Sequence, residues 1–330
     1  MSAPAVDVVA LGSAIVDVLA TADEAELDRR GLVKGTMALV DEDRAHELYG
    51  DMGPAVEVSG GSAANTMAGV ASFGGSAAFI GKVRDDQLGE VFTHDIRAVG
   101  VAYDTPPATT GPATARCLVF VTADAQRTMT TYLGAATGLQ PDDVDPGLVA
   151  GSRYTYLEGY LWDPPEAIAA LRRAIDVATE SGRQVAFSLS DPFCVARHRA
   201  EFLELIDEHV DVLFANEVEI TSLFEVGTVA EAVAAVRRHR RCSVAAITLG
   251  PKGSMVVTAD EVVEVPAAPV EHVVDTTGAG DLYAAGFLHG LVTGADLAAC
   301  AGLGGVAAAE VISHLGARPQ VPLHTLVPST

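Results

Sequence analysis

Short runs of continuous apolar residues alternate along the chain with longer stretches in which apolar side chains recur every three or four positions. Runs of the first kind suit strands buried on both faces, and stretches of the second suit the helices that cover them. The pattern therefore predicts an α/β fold, a doubly wound, mostly parallel sheet with helices on both faces. Val6 to Leu11 reads as the first strand and stops at Gly12. Ala77 to Ile80, Gln184 to Leu189, Asp211 to Phe214 and Val244 to Leu249 read as further buried strands. Ile168, Leu171, Ile175 and Ala178 keep helical spacing, with Gly182 as the stop. Late in the chain, Ser254 to Thr258 and Val262 to Val265 flank Ala259, Asp260 and Glu261 and predict a hairpin.

Two intervals, about 14–40 and 101–133, break this alternation with irregular apolar residues and turns such as Pro106-Pro107-Ala108-Thr109-Thr110-Gly111-Pro112. They are expected to form a small β lid on a core made of about 1–13, 41–100 and 134–330, the whole being one domain over 1–330. A chain of 330 residues buries roughly 75% of its unfolded surface, so it needs no disulfide or metal staple. No repeat or low-complexity tail interrupts it.

The charge narrows the partners. With 44 acidic against 21 basic side chains and a net charge of −23, including only three lysines, Lys34, Lys82 and Lys252, the chain lacks the basic face that tracking nucleic acid requires. The longest uncharged stretch, Val58 to Gly81, is broken by six glycines and by polar residues, so no membrane span is expected. No basic stretch precedes the first apolar run, which argues against an export signal and for the cytoplasm. Cys117, Cys194, Cys242 and Cys300 make no metal-ligand spacing and read as buried free thiols. The scattered histidines give no HExxH, so zinc hydrolysis is not expected.

Two glycine-rich strings carry the candidate chemistry. In Asp275-Thr276-Thr277-Gly278-Ala279-Gly280-Asp281 the small residues strip side chains from a loop that opens a helix. Backbone N–H groups near Ala279 to Asp281 can then converge on an anion with the helix dipole behind them. Asp281 stands at the mouth of that hole, placed to take a proton from a hydroxyl attacking phosphorus. Alone, this string would serve equally as a tight turn with a helix cap. In Gly60-Gly61-Ser62-Ala63-Ala64-Asn65-Thr66 a second glycine pair enters a helix whose first turn presents Ser62 and Asn65, while Met67, Val70 and Phe73 face the core.

Together these strings resemble the two signature regions of the PfkB/ribokinase family of sugar and nucleoside kinases, the later in the family's Asp-Thr-x-Gly-Ala-Gly-Asp form and the earlier matched on through Gly81 to Gly89. Asp17 after the first strand, Asn216-Glu217-Val218-Glu219 and Thr248-Leu249-Gly250-Pro251-Lys252-Gly253 are similar to other landmarks of the family, in its order. The resemblance implies a ribokinase-like core with a β lid and an ATP-dependent phosphotransfer to an alcohol group. It implies Asp281 as base, with Gly278, Ala279 and Gly280 as the anion hole. Asp17, Gly61, Ser62 and Asn65 would bind the sugar hydroxyls. Asn216 and Glu219 would hold Mg²⁺ and its waters, and Thr248, Gly250 and Gly253 would line the ATP site. Asp275 and Thr277, with a contribution from about Ser313 to Gly316, match a monovalent-cation loop that binds K⁺ in several members. A monomer or a lid-mediated homodimer is implied.

Local strings resemble the adenosine kinase branch: Leu189-Ser190-Asp191-Pro192-Phe193, the strand Asp211 to Glu217, and Tyr156-Leu157-Glu158-Gly159-Tyr160. Met37 and Leu39 in the lid would give a purine an apolar wall. Ser13 departs from that branch, which has an asparagine there. The expected acceptor is accordingly a nucleoside, adenosine at its 5′-hydroxyl, with a sugar kinase for ribose, fructose or a keto-deoxy sugar acid as the alternative. An NAD-dependent dehydrogenase is disfavoured because Leu11-Gly12-Ser13-Ala14-Ile15-Val16-Asp17 contains no GxGxxG. No string completes the P-loop pattern GxxxxGK[ST], and intact Asp281 speaks against a non-catalytic nucleotide-binding protein.

Overall fold

The computed structural model describes residues 5–124, 126–239 and 241–327. In chain order its strands are β1 (Val6–Leu11), β2 (Ile15–Thr21), β3 (Met37–Leu39), β4 (Val56–Gly60), β5 (Ala77–Ile80), β6 (Val101–Ala102), β7 (Ala115–Val121), β8 (Arg127–Tyr132), β9 (Ser152–Glu158), β10 (Gln184–Ser188), β11 (Val212–Asn216), β12 (Val244–Thr248), β13 (Ser254–Val257) and β14 (Val262–Val265). The helices are α1 (Glu24–Arg29), α2 (Glu42–Gly50), α3 (Ser62–Ser72), α4 (Gln87–Ala98), α5 (Pro146–Ala150), α6 (Pro165–Glu180), α7 (Pro192–Glu208), α8 (Glu217–Phe224), α9 (Val229–Val236), α10 (Ala279–Thr293) and α11 (Leu297–Val311).

Nine strands make the large sheet, in the order β14-β13-β12-β11-β10-β9-β1-β5-β6. The seven from β12 to β6 are parallel, and β13 and β14 close the edge as the expected antiparallel hairpin. Alternation along each strand separates two cores. Val8, Ala10, Phe79, Tyr156 and Phe214 face one side with Met67, Phe92 and Phe287 from α3, α4 and α10. Val9, Leu11, Ile80, Leu157 and Phe187 face the other with Leu171, Phe202 and Ile220 from α6, α7 and α8. The fold is thus α/β and doubly wound. From β1 the chain winds outward to β5 and β6, then crosses to β9 on the opposite flank, so the strand order reverses beside β1, where the carboxyl ends of such sheets open a crevice.

The second sheet, β3-β8-β7-β2-β4, is built largely from the two intervals expected to form the lid, and keeps that label. Two boundaries differ from the expected ones. Val56–Gly60, assigned above to the core interval 41–100, pairs with β2 in the lid, and Val101–Ala102, assigned to the lid, extends the large sheet beside β5. In the first case Val56-Glu57-Val58-Ser59 alternates in the period of a half-covered lid strand; in the second a two-residue strand is too short to show any period. The central strand β9 was not expected at all. Ser152-Arg153-Tyr154-Thr155-Tyr156-Leu157-Glu158 carries polar residues that mask its burial between β1 and β10. β11 begins one residue later than predicted because Asp211 turns its carboxylate to the Val185 N–H, 2.8 Å away.

Helices α3 and α10 pack closely through Gly69, where a Cβ would lie 2.5 Å from Ala285 Cβ and 2.7 Å from Leu282 Cδ1. We expect Gly69→Val to force the two helices apart and to lower stability by about 1–3 kcal/mol. The measurement is urea unfolding, with a lower midpoint at unchanged slope; an unaltered midpoint would show that the helices can separate freely.

Candidate active site

Most helices begin with a side-chain cap: Asp23, Asp41, Asp86, Asp145, Asp191, Asn216, Thr228 and Asp296 each accept from a first-turn N–H. α3 and α10 begin instead at glycines of positive φ, Gly61 at 94° and Gly278 at 79°, with no side-chain cap. Both glycines are sterically required. A Cβ on Gly61 would overlap the Ser13 carbonyl, and one on Gly278 would lie 2.8 Å from Ala317 Cβ. At α10 the first helical bond runs from Leu282 N–H to Gly278 O, which leaves the N–H groups of Gly280 and Asp281 without a partner among the described residues. Of the residues expected to form the anion hole, Gly280 thus has a free N–H at a helix start, whereas Ala279 N–H donates to Thr276 O at 3.3 Å.

The two helix starts meet at Asp281. Ser62 Oγ donates to Asp281 Oδ1 at 2.7 Å and Asn65 Nδ2 to Oδ2 at 3.0 Å. Ser62 and Asn65, expected to line the sugar site, thus first orient this carboxylate. Burial pushes Asp281 above the ordinary carboxylate range, while these two bonds and the charge of Arg318 pull it back. The net effect is a proton affinity above that of a free carboxylate, the direction that suits proton abstraction.

Two further groups, Glu158 and Arg318, to which the sequence assigned no role, complete this end of the crevice around Asp17. Glu158, fully buried at the end of β9, accepts from Ser13 N–H at 2.7 Å and Ala63 N–H at 2.9 Å, tying the loop after β1 to the start of α3. Burial raises it to about 7, opposed mainly by its bonds to Ser13 and Ala63. Arg318 donates through Nε and Nη2 to Ser59 O, at 3.1 and 2.8 Å, and its buried Nη1 has no partner. Burial lowers its pKa to about 10 against the charges of Asp95, Asp17 and Asp281. Gly60, beside Gly61, leaves room for Asp17: a Cβ there would overlap the Asp17 carboxylate. Burial lifts Asp17 to about 6, with Arg318 and Arg127 opposing and Asp281 adding to the rise. The only advance signal for Glu158 was a charge closing an apolar run before Gly159; Arg318 left none.

On the nucleotide side, Asn216 and Thr248 are register partners at the carboxyl ends of β11 and β12. Asn216 caps α8 and forms a capping box with Glu219, whose Oε1 lies 2.6 Å from Asn216 Nδ2 and whose Oε2 accepts from Asn216 N–H at 2.9 Å. Burial raises Glu219 to about 7, with smaller upward pushes from Asp191 and Asp281. Glu219 offers carboxylate oxygens of the kind that Mg²⁺ takes beside phosphates and retained waters, both of them here accepting from Asn216; no three acidic, His or Cys side chains among the described residues group as metal ligands. Gly250 and Gly253 carry the loop after β12 at φ of 58° and 100°.

Asp275 and Thr277 do not fit the cation loop in the expected way. Asp275 Oδ1 accepts from Thr277 N–H and Oδ2 from Gly316 N–H, both at 3.1 Å, and the carboxylate is paired with Arg127 of the lid. Both of its oxygens are thus engaged by N–H groups, and its charge faces a guanidinium.

Register places Leu39, Thr131, Cys117 and Asp17 in one row across the lid, with Met37, Met129, Val119 and Leu19 in the next. Paired residues share a face, so the face that carries Asp17 is otherwise largely apolar, through Ile15, Leu19, Cys117, Val119 and Met129. Met37 and Leu39 lie on its exposed outer rim, three strand spacings or about 14 Å from the β2 row.

The family model described as pfkB family carbohydrate kinase matches residues 7–324. The chain is similar to the crystal structure of adenosine kinase from Sinorhizobium meliloti, with 53% identity, 97% of this chain and 98% of that one covered, and a TM-score of 0.90. It is similar also to a structure from Rhizobium etli described as a "probable sugar kinase protein", at 46% identity, 98% of each chain and a TM-score of 0.90. The adenosine kinase of Saccharomyces cerevisiae is 28% identical over 96% of each chain.

Glu158 yields a pH prediction. Its folded value, about 7, lies above its ordinary 4.5. The folded state therefore holds this proton more tightly, and the associated stability is present at low pH and lost as pH rises through about 7. The difference in unfolding free energy, wild type minus Glu158→Gln, is expected to fall between pH 5 and 7.5; a rising or flat difference in denaturant titrations would refute it.

Proposed function

Because the chain belongs to the pfkB family of carbohydrate kinases, it is a phosphotransferase acting on a hydroxyl group, and we propose that it transfers the γ-phosphate of ATP to the 5′-hydroxyl of a nucleoside, adenosine first. The observation that carries the nucleoside reading is the lid face. Asp17 offers a carboxylate to vicinal hydroxyls, while the Ile15, Leu19, Cys117, Val119 and Met129 side chains around it suit a flat apolar base better than a free sugar. Met37 and Leu39 extend this wall at the rim.

In this reading Asp281 takes the proton of the acceptor hydroxyl as its oxygen attacks the γ-phosphorus, the bond to the bridging oxygen breaks and ADP leaves. The free N–H groups at the start of α10, with Gly278 and Gly280 keeping side chains away, stabilise the charge on the transferred group. Gly61 lets the substrate approach the backbone, and Ser62 and Asn65 keep the carboxylate aimed. Thr248, Gly250 and Gly253 receive the nucleotide. Magnesium, held through Glu219 and waters beside Asn216, shields the phosphate charge when bound.

A sugar acceptor is the second reading. Ser13 donates its backbone N–H to Glu158 and is buried, so it gives a ribose none of the reach of the asparagine usual in adenosine kinases.

A coupled assay for ADP release separates the two readings: adenosine should exceed ribose, fructose and a keto-deoxy sugar acid in kcat/KM, and the reverse order would transfer the assignment to a sugar. Asp281→Asn is expected to reduce kcat by about 10²–10⁴ with ATP binding preserved in a direct titration. Comparable turnover in the variant would remove Asp281 as the base.

A further inference from the structure

Arg127 at the start of β8 pairs with Asp275, which opens the loop into α10. Their side chains are only 8% and 4% exposed. Among the described residues this is the one ion pair that joins a strand of the small sheet to the core.

We propose that Arg127 is a lid-borne positioning residue whose guanidinium stands in for a monovalent cation at the anion-hole loop, so that the loop is set by lid closure and not by K⁺. The inference rests on the kinase reading for its catalytic consequence and on geometry for the rest. Asp275 Oδ1 fixes the Thr277 N–H, one residue before Gly278, and Oδ2 fixes Gly316, one residue before the Ala317 that packs on Gly278. The carboxylate thus braces both sides of the turn from which the free N–H groups of α10 project. Its charge requires a counter-charge, because an unpaired buried carboxylate is costly. Its hydrogen bonds come from the Thr277 and Gly316 N–H groups, and its counter-charge comes from the lid. Arg127 also acts on Asp17, lowering its proton affinity, so the same guanidinium reaches the electrostatics of both the sugar end and the phosphate end. Its Nε and Nη2 are both buried without a hydrogen-bond partner, so the guanidinium meets Asp275 as a charge and not through a hydrogen bond. When the lid lifts, Asp275 loses its counter-charge and the turn its brace; when the lid closes, both return. Such coupling restricts phosphoryl transfer to the closed, water-excluding state.

Two experiments on the full-length protein decide it. In the first, ADP release is measured with K⁺, Na⁺ or tetramethylammonium as the sole monovalent cation. Wild type should vary less than twofold, whereas Arg127→Ala should lose at least tenfold in kcat, regain activity with added guanidinium or K⁺, and be outperformed by Arg127→Lys. Tenfold activation of wild type by K⁺, or an Arg127→Ala variant that neither falls nor is rescued, overturns the proposal. In the second, thermal unfolding is followed without substrates. K⁺ in place of tetramethylammonium should leave the wild-type midpoint unchanged and raise that of Arg127→Ala; a K⁺-specific rise in wild type counts against the proposal. If no acceptor elicits ADP release, the kinase reading fails while the thermal measurement still tests Arg127. Should the alanine variant not fold, the wild-type cation series and Arg127→Lys still decide.

Discussion

The hydrogen bonds from Ser62 and Asn65 to Asp281 join residues more than two hundred positions apart, and the geometry of the crevice depends on that contact. It requires α3 and α10 to lie almost backbone to backbone, which Gly69 permits. Both helices start without a side-chain cap, and at α10 the N–H groups of Gly280 and Asp281 stay free. Beneath them Glu158 fastens the start of α3 to the end of β1. The carboxylate is therefore positioned by the large sheet, and the lid contributes the opposite wall.

Under the proposed kinase reading, this arrangement lets so acidic a chain handle a triphosphate. The net charge of −23 belongs to the molecule as a whole, whereas the start of α10 presents main-chain donors and the positive end of a helix dipole. Burial raises the proton affinity of Asp17, Glu158, Glu219 and Asp281 alike, which moderates the local negative charge without adding lysines. Two arginines, Arg127 and Arg318, supply fixed positive charge where the lid meets the core.

Much of the fold was legible in the sequence because parallel strands buried on both faces must be written as continuous apolar runs. β9 escaped because its arginine, threonines and terminal glutamate satisfy local partners that no period reveals. β4 was placed in the wrong layer because a short alternating strand does not say which sheet it joins. The glycine strings were legible for a related reason: a positive φ or a missing Cβ restricts the residue type at one position, independent of tertiary context. Arg318, Arg127 and Glu158 depend instead on contacts across long sequence separations, such as the 259 positions between Arg318 and Ser59. The pairing of Asp275 with Arg127 was hidden for the same reason, since the arginine comes from a distant strand.

The absence of a side chain at Gly60 sets where a side chain on the neighbouring strand can rest. A Cβ there would overlap one Asp17 carboxylate oxygen and lie 2.7 Å from the other, so a larger residue at position 60 would oblige that carboxylate to swing out of its present place. The rotamer of Asp17 in β2 is thus written partly in β4, by a residue that contributes no atoms of its own to the contact.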